Sequence, residues 1–314
     1  MTTCAAGQPV SNIRIVGCDG GQVFHIHGED SGAEGVELSE DGLKQLYEAP
    51  IKVLERTPVM MNGARLRTVK TAVMEPVITL DITGVNVNET FEEVDGPLRE
   101  AFSFEKDQWY DNSTLARIEW ETDNCTRWLD VVLTEGTPYQ ADRDPHRLGV
   151  WTWEIHLKAY TPFWQQGIDI TPVEFTAPGS KPVPISNPSG VEMLHKWVGT
   201  AAQWKLPDNS WSGRKWERTP GGLYPTRTVL YPPLTTAANG GLVVDYDPSH
   251  LPIRDALDHN LAGQMPVQGD GPRFWIPPFT QETTLTVTAV SVPAGGARME
   301  LRQPRMFRRP WGRV

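Results

Sequence analysis

The sequence predicts a mainly β protein, of the all-β or α+β class, organised as two domains. Three observations predict it. Short segments of alternating apolar and polar residues recur along the chain. Glycine (28) and proline (27) are dispersed, so they punctuate many short strands. One stretch alone has convincing helical periodicity, and it lies in the first half. A length of 314 residues exceeds one average domain.

The elements follow in order. Asn12-Ile-Arg-Ile-Val-Gly17 alternates, Cys18-Asp-Gly-Gly21 supplies turn residues, and Gln22-Val-Phe-His-Ile-His27 alternates again, which predicts a hairpin. Residues 28–42 are rich in Gly, Glu and Asp and predict a loop. Asn62-Gly63 predicts a tight turn between two more strands. Val77–Thr83 puts Ile78, Leu80 and Ile82 on one face of a half-buried strand. Thr90-Phe-Glu-Glu93 has the form of a capping box, and Phe91, Val94, Leu98 and Phe102 continue it as one apolar stripe. Gly96-Pro97 interrupts the stripe and leaves room for two short helices, with Pro97 in a first turn. Strands at 115–120 and 128–133 are turned by Asp123-Asn124, and a polar loop at 140–146 leads into Val150–Tyr160. There Trp151, Trp153, Ile155, Leu157 and Ala159 line one face, and Thr152, Glu154, His156, Lys158 and Tyr160 the other. Pro162 has no N–H and stops that strand at a sheet margin.

Beyond it the pattern changes. Thr171-Pro172, Ala177-Pro178-Gly179 and Lys181-Pro-Val-Pro184 predict that 165–184 is a linker with an entry strand. Short strands are then predicted at Val191–Val198, Ala202–Leu206, Arg227–Tyr231, Gly241–Asp245, Thr283–Val292 and Arg298–Arg302, with one helical turn at Leu251–Leu257. Turn signals at Asn187-Pro-Ser-Gly190, Pro207-Asp-Asn209, Asn239-Gly-Gly241 and Gly295-Gly296 separate them, the pattern of a β-sandwich. The boundaries implied are 1–168 and 169–314.

Composition narrows the function. Hydrophobic content of 39 % and a mean hydropathy of −0.39 suit packed, soluble cores. Tryptophan, at 12, outnumbers both Phe and Tyr, and its polar N–H suits half-wet surfaces and interfaces. A net charge of −10 argues against wrapping nucleic acid. No apolar run is as long as a membrane span, and MTTCAAGQPV has neither the basic nor the apolar region of a signal peptide. Cys4, Cys18 and Cys125 are odd in number and form no CxxC, which argues against a disulfide framework and for a reducing compartment.

Candidate chemistry is sparse. His25-Ile-His27 has a metal-ligand spacing, but no Cys, Asp or His cluster completes a set, and edge histidines are the plainer reading. Asp245-Tyr-Asp247 with His250 resembles an acid/base or metal cluster, although Asp247-Pro-Ser reads better as an Asx turn. Glycoside hydrolysis needs two carboxylates across a cleft, and no local pair stands out. Trp197, Trp204, Trp211 and Trp216 offer a sugar-stacking platform or, more simply, sandwich packing. G-x-S-x-G, P-loop and H-E-x-x-H motifs are absent. The segment Arg302–Val314 carries five arginines among aromatics, suited to pairing with acids on its own domain or a neighbouring subunit more than to a nucleic-acid arm.

Ala159-Tyr-Thr-Pro-Phe-Trp164 resembles the strand end that closes the N-terminal domain of siphophage distal tail proteins, with Thr161 where many relatives carry Asp. Asn187-Pro-Ser-Gly190, Trp197, Trp204-Lys-Leu-Pro-Asp208, Trp211, Val244-Asp-Tyr-Asp-Pro248, Phe274-Trp-Ile-Pro-Pro278 and Arg309-Pro-Trp-Gly312 are similar to minor tail proteins of phages infecting mycobacteria and related actinobacteria. The resemblance implies an N-terminal ring-forming β domain with one helix and a C-terminal galectin-like β-sandwich. It implies a structural virion protein of the tail tip, made in the host cytoplasm, with no catalytic residues and no cofactor. Its partners would be itself in a homo-oligomeric, hexameric ring, the tail tube protein, the tape measure protein and tail-tip or baseplate proteins. Host surface glycans are a further partner that the resemblance allows.

The residues are compatible with that role. Trp151, Trp153, Phe163, Trp164, Arg308, Arg309 and Trp311 are the candidate domain-junction and interface residues, with Phe163 and Trp164 as a plug where the first domain ends. Trp204 and Trp211 are the candidate glycan-stacking pair, the basis of the alternative reading as a carbohydrate-binding module, with a cell-wall hydrolase behind it. An acidic lumen would let DNA pass without sticking, because like charges repel.

Overall fold

The computed structural model describes residues 11–57, 64–83, 91–122, 125–136, 144–233 and 240–312. The fold is mainly β, with antiparallel pairing throughout the described ladders. The chain divides into two compact units, Met1–Gln166 with Phe307–Arg313, and Gly167–Met306.

The first unit begins with β1 (Asn12–Val16), β2 (Val23–His27) and β3 (Val36–Lys44). It continues through β4 (Ile51–Arg56), β5 (Arg65–Thr71) and β6 (Val77–Thr83) to helix α1 (Phe91–Glu100). β7 (Ala116–Thr122), β8 (Cys125–Leu133), a helical turn α2 (Pro145–Leu148) and β9 (Val150–Lys158) complete it. The predicted first hairpin is present, β1 with β2, and β1 also pairs β7, which pairs β8. β9 pairs β6, β6 pairs β3, and two residues of β9 pair the end of β8. β4 and β5 pair with each other as a separate hairpin, as the Asn62-Gly63 signal predicts; the turn itself lies outside the described residues.

Alternation accounts for the core. Ile13 and Ile15, Phe24 and Ile26, Ile78, Leu80 and Ile82, and Trp153, Ile155, Leu157 and Ala159 all point into one apolar cluster. Val94 and Leu98 fasten α1 to it, and Phe102 meets Trp153 edge-on at 6.1 Å. α1 is one continuous helix with Pro97 inside, not two. Proline removes only its own N–H, and the helix still closes through Ala101 N–H donating to Pro97 O at 3.0 Å. Thr90 of the expected capping box lies outside the described residues.

The second unit contains most of β10 (Trp164–Phe175), then β11 (Gly179–Asn187), β12 (Lys196–Gly199), β13 (Gln203–Pro207) and a two-residue pair, β14 (Trp211–Ser212) with β15 (Thr219–Pro220). β16 (Thr228–Leu230), β17 (Leu242–Asp245), β18 (Ile253–Arg254), β19 (Thr280–Ser291) and β20 (Ala297–Phe307) follow. One sheet has the order β11-β19-β13-β16; the other runs β18-β17-β12-β20-β10. Val183, Trp204, Leu206 and Val287 of the first sheet share one core with Trp197, Val244, Met299 and Leu301 of the second, which makes a sandwich.

Several expectations are corrected. The predicted loop at 28–42 becomes strand from Val36, because β6 supplies a ladder partner. The predicted linker at 165–184 is two strands. β11 lies at a sheet edge, where Pro182 and Pro184 cost no outward hydrogen bond. Residues 251–257 hold β18 and a turn rather than a helical turn. The expected second domain ran to residue 314, whereas Phe307 is buried in the first unit's core. Cys125 is disulfide-bonded, against the expectation of no disulfide, and Cys18 is a free thiol.

Candidate functional site

The predicted interface residues divide between core and surface. On β9, Trp153 is buried and Trp151 is half-buried against the same core. The opposite face carries Glu154, which accepts from Lys44 at 3.4 Å and lies 3.0 Å from His156. Those two partners hold the Glu154 carboxyl below its usual range. Trp164 is wholly buried in the first unit and meets Trp120 edge-on at 6.2 Å, while Phe163 is half-buried.

The C-terminal segment is built onto the first unit by one buried cation. Arg127 on β8 is 1 % exposed. Its guanidinium donates to Arg309 O at 2.7 Å and Gly312 O at 2.6 Å, and lies 3.5 Å from the centre of the Phe307 ring. Burial lowers its pKa to about 10, so it remains a cation at neutral pH. Trp311, 40 % exposed, packs on Trp120 at 5.1 Å and Tyr47 at 5.4 Å. Arg309 is exposed and pairs with Glu48 at 3.0 Å; Arg308 is half-buried. Further back, Arg302 pairs with Glu300 and Arg305 with Asp169.

In the sandwich, the motif residues converge on one buried carboxylate. Asp208 accepts from Tyr246 Oη at 2.9 Å and from the amides of Arg273 and Phe274 at 3.2 and 3.0 Å. It also pairs with Arg227, which in turn pairs with Asp270. Trp204–Asp208, Val244–Pro248 and Phe274–Pro278 are thus tied at a single atom group. Asn187 plays a similar part. Its Nδ2 donates to the carbonyls of Val191, Ile276 and Pro277, and its Oδ1 accepts from Ser189 N and Oγ. These are buried polar networks that tie remote segments together, the arrangement that specifies a fold.

The other chemical candidates disperse. Trp204 is wholly buried, with Nε1 donating to Thr200 O at 2.9 Å; no ring face is open to a sugar, which corrects the stacking assignment. Trp211 is half-buried against the sandwich core. His25 is bound twice by Glu34, through its amide at 2.8 Å and its ring at 2.9 Å. Asp247 forms the expected Asx turn with Ser249, whereas Asp245 faces Lys196 at 2.7 Å. Among the described residues no group of three or more His, Cys, Asp or Glu is placed to hold a metal ion. No described helix is long and apolar enough to cross a membrane. Sequence reasoning missed Arg127 and His195, and read Asp208 only as a turn and motif residue, because their partners are remote in the chain. His195 is buried and stacked on Tyr246 at 3.9 Å.

Solved structures similar in fold include a phage adsorption-hub protein and chains of a phage baseplate. One is the Dit protein (gp 19.1) of phage SPP1, described as a paradigm of the hub adsorption apparatus in phages infecting Gram-positive hosts; it is 11 % identical, with a TM-score of 0.53, over 93 % of this chain and 98 % of that one. Two others come from the baseplate of phage p2 in its activated conformation, with Sr and with Ca; both are 10 % identical, with TM-scores of 0.48 and 0.46, over 94 % of this chain and 98 % of theirs. No protein-family model matches the chain, and no curated protein matches it.

Proposed function

We propose that this chain is a structural protein of the phage tail tip, a distal tail or closely related minor tail protein without catalytic turnover. It forms a homo-oligomeric, hexameric ring that joins the tail tube to the receptor-binding apparatus, with the first unit in the ring and the galectin-like sandwich outside it. The observation that carries this reading is the extent of the likeness to SPP1 Dit. It runs through both units and accounts for 93 % of this chain and 98 % of the other, rather than for one common β module. The tail-protein motifs in the sandwich support it, because they form that unit's buried framework. Tube, tape measure and baseplate proteins of a phage of mycobacteria or related actinobacteria are its partners in this reading.

Sedimentation velocity and negative-stain imaging of the full chain, alone and with the tube protein, test it. Closed rings capping tube ends are expected. A strict monomer that joins neither itself nor the tube would overturn the proposal.

A further inference from the structure

Between β13 and β16 the chain makes a tightly tied excursion that contains β14 and β15. Ser210 closes its base. Its amide donates to Tyr224 O at 2.9 Å, its hydroxyl donates to Gly221 O at 2.6 Å and accepts from Tyr224 N at 2.8 Å, and its carbonyl accepts from Gly221 N at 2.8 Å. The turn between β14 and β15 leans on Phe279. Trp216 N–H donates to Phe279 O at 2.8 Å, the two rings lie 5.3 Å apart, and the Lys215 ammonium is 4.6 Å from the centre of the Phe279 ring. Both aromatics have positive φ, 67° at Trp216 and 57° at Phe279, a region that disfavours bulky residues and persists only where the surroundings hold it. Further along, the Tyr224 ring lies 5.9 Å from that of Phe274. The excursion therefore follows the segment 274–279, whose ends are at most about 17 Å apart, a track for several small rings in a row rather than a pocket for one.

We infer that this surface binds an acidic glycan, a polymer of sugar rings that bear carboxylate or phosphate groups. What it leaves open is aromatic and basic. Trp216 (38 %), Tyr224 (48 %) and Trp275 (44 %) expose ring surface. Of the four tryptophans that the sequence offers for stacking sugars, Trp197 and Trp204 are buried and Trp211 is half-buried, whereas Trp216 is exposed. Arg214 and Lys215 are exposed and Arg218 is half-buried, and none of the three forms an ion pair with a described residue. Residues 167–306 contain equal numbers of basic and acidic residues, so the net charge of −10 is carried outside them, and three of their twelve cations fall within 214–218. The apolar face of a sugar ring stacks on an aromatic ring, and guanidinium and ammonium groups take its acid groups. Glu217, the one acid in 211–224, sets a glycan apart from nucleic acid: it meets a phosphodiester as a like charge but accepts from sugar hydroxyls. Lys215 sets it apart from a lipid layer, since inserting the Phe279 and Trp216 rings would carry the ammonium seated on them into hydrocarbon. The inference concerns the second unit alone and does not depend on the ring.

The test is affinity electrophoresis of the full chain through gels that hold polygalacturonate, which supplies carboxylates, a phosphomannan, which supplies phosphates, or dextran, which has neither. Wild type should be retarded by at least one of the acidic polymers and run freely in dextran. Trp216→Gly removes the ring and suits the positive φ, and it should weaken binding roughly tenfold or more. Arg214→Gln with Lys215→Gln should do the same and flatten the dependence of binding on salt. Those two positions are exposed, so this variant carries the test even if Trp216→Gly fails to fold. Trp109→Ala, at an exposed tryptophan of the first unit, should bind as wild type does. Free migration of wild type in both acidic gels would overturn the inference, as would equal retardation in dextran, or site variants that bind like wild type. Wild type held more tightly by oligothymidylate or by phosphatidylglycerol vesicles than by either acidic polymer, with that hold lost in the site variants, would overturn it in favour of nucleic acid or lipid.

Discussion

Asp208 is buried, yet its carboxylate meets a tyrosine hydroxyl, two backbone amides and a guanidinium. Taking one partner from such a network strands the others without water. Asp208→Ala should therefore destabilise the second unit by about 3–5 kcal/mol. A calorimetric transition that does not move would contradict this. His195 makes the pH dependence of the same unit predictable. Burial lowers its pKa from 6.5 to about 3, so the folded imidazole is neutral where the unfolded one protonates. Stability from this group is complete above pH 6.5 and is lost as pH falls from there toward 3, on the order of 1 kcal/mol per pH unit. His195→Phe, which keeps a ring on Tyr246, should flatten the acid side of the Tm–pH curve. At this scale the sequence told residue type but not role. Trp204 is open in the sequence to two readings, a stacking platform or sandwich packing, and the structure gives the second: it is wholly buried, with its indole N–H donating to Thr200 O. Nothing local to Trp-Lys-Leu-Pro-Asp distinguishes a stacking surface from a core.

At the scale of the element, the C-terminal segment is decisive. Phe307 is the last residue of β20 and a member of the first unit's core, and Arg127 holds the carbonyl oxygens beyond it. Phe307→Ala should cost the first unit about 3–5 kcal/mol, by lost burial and the cavity left behind. Trp311→Ala should cost less, about 0.5–1.5 kcal/mol, since that ring is partly exposed and its worth lies mainly in aromatic pairing. Chemical denaturation resolves the two, and equal shifts would refute the ordering. β10 was the element least legible in the sequence. Thr171-Pro172 reads as a breaker, but β20, more than a hundred residues on, is a ladder neighbour of β10, and no local signal announces it. Amides in 168–175 that bond to β20 should be protected in native-state hydrogen exchange, where a linker would exchange at the free rate. Strands with strict alternation, such as Val77–Thr83 and Val150–Lys158, were legible because each buries one face regardless of its partners.

At the scale of the whole molecule, the two units have separate cores, so their unfolding should be separable. Asp208→Ala should shift one calorimetric transition and Phe307→Ala the other. A single transition moved equally by both would show one cooperative block. Charge is unevenly distributed as well. The β4–β5 hairpin is basic in an acidic chain, a contrast visible in the sequence, while the exposure of its apolar face is not. By itself the sequence determined the β class, the first hairpin, the helix and the change of pattern between the halves. Each of these is set by local periodicity and turn chemistry, which need no distant partner. Tertiary structure alone decided that 165–175 is strand rather than linker, that Phe307 returns to the first core and that the motif segments of the sandwich meet at Asp208. Those outcomes depend on ladder partners and buried charges contributed by residues far apart in the chain, and no window of sequence contains both sides of such a contact.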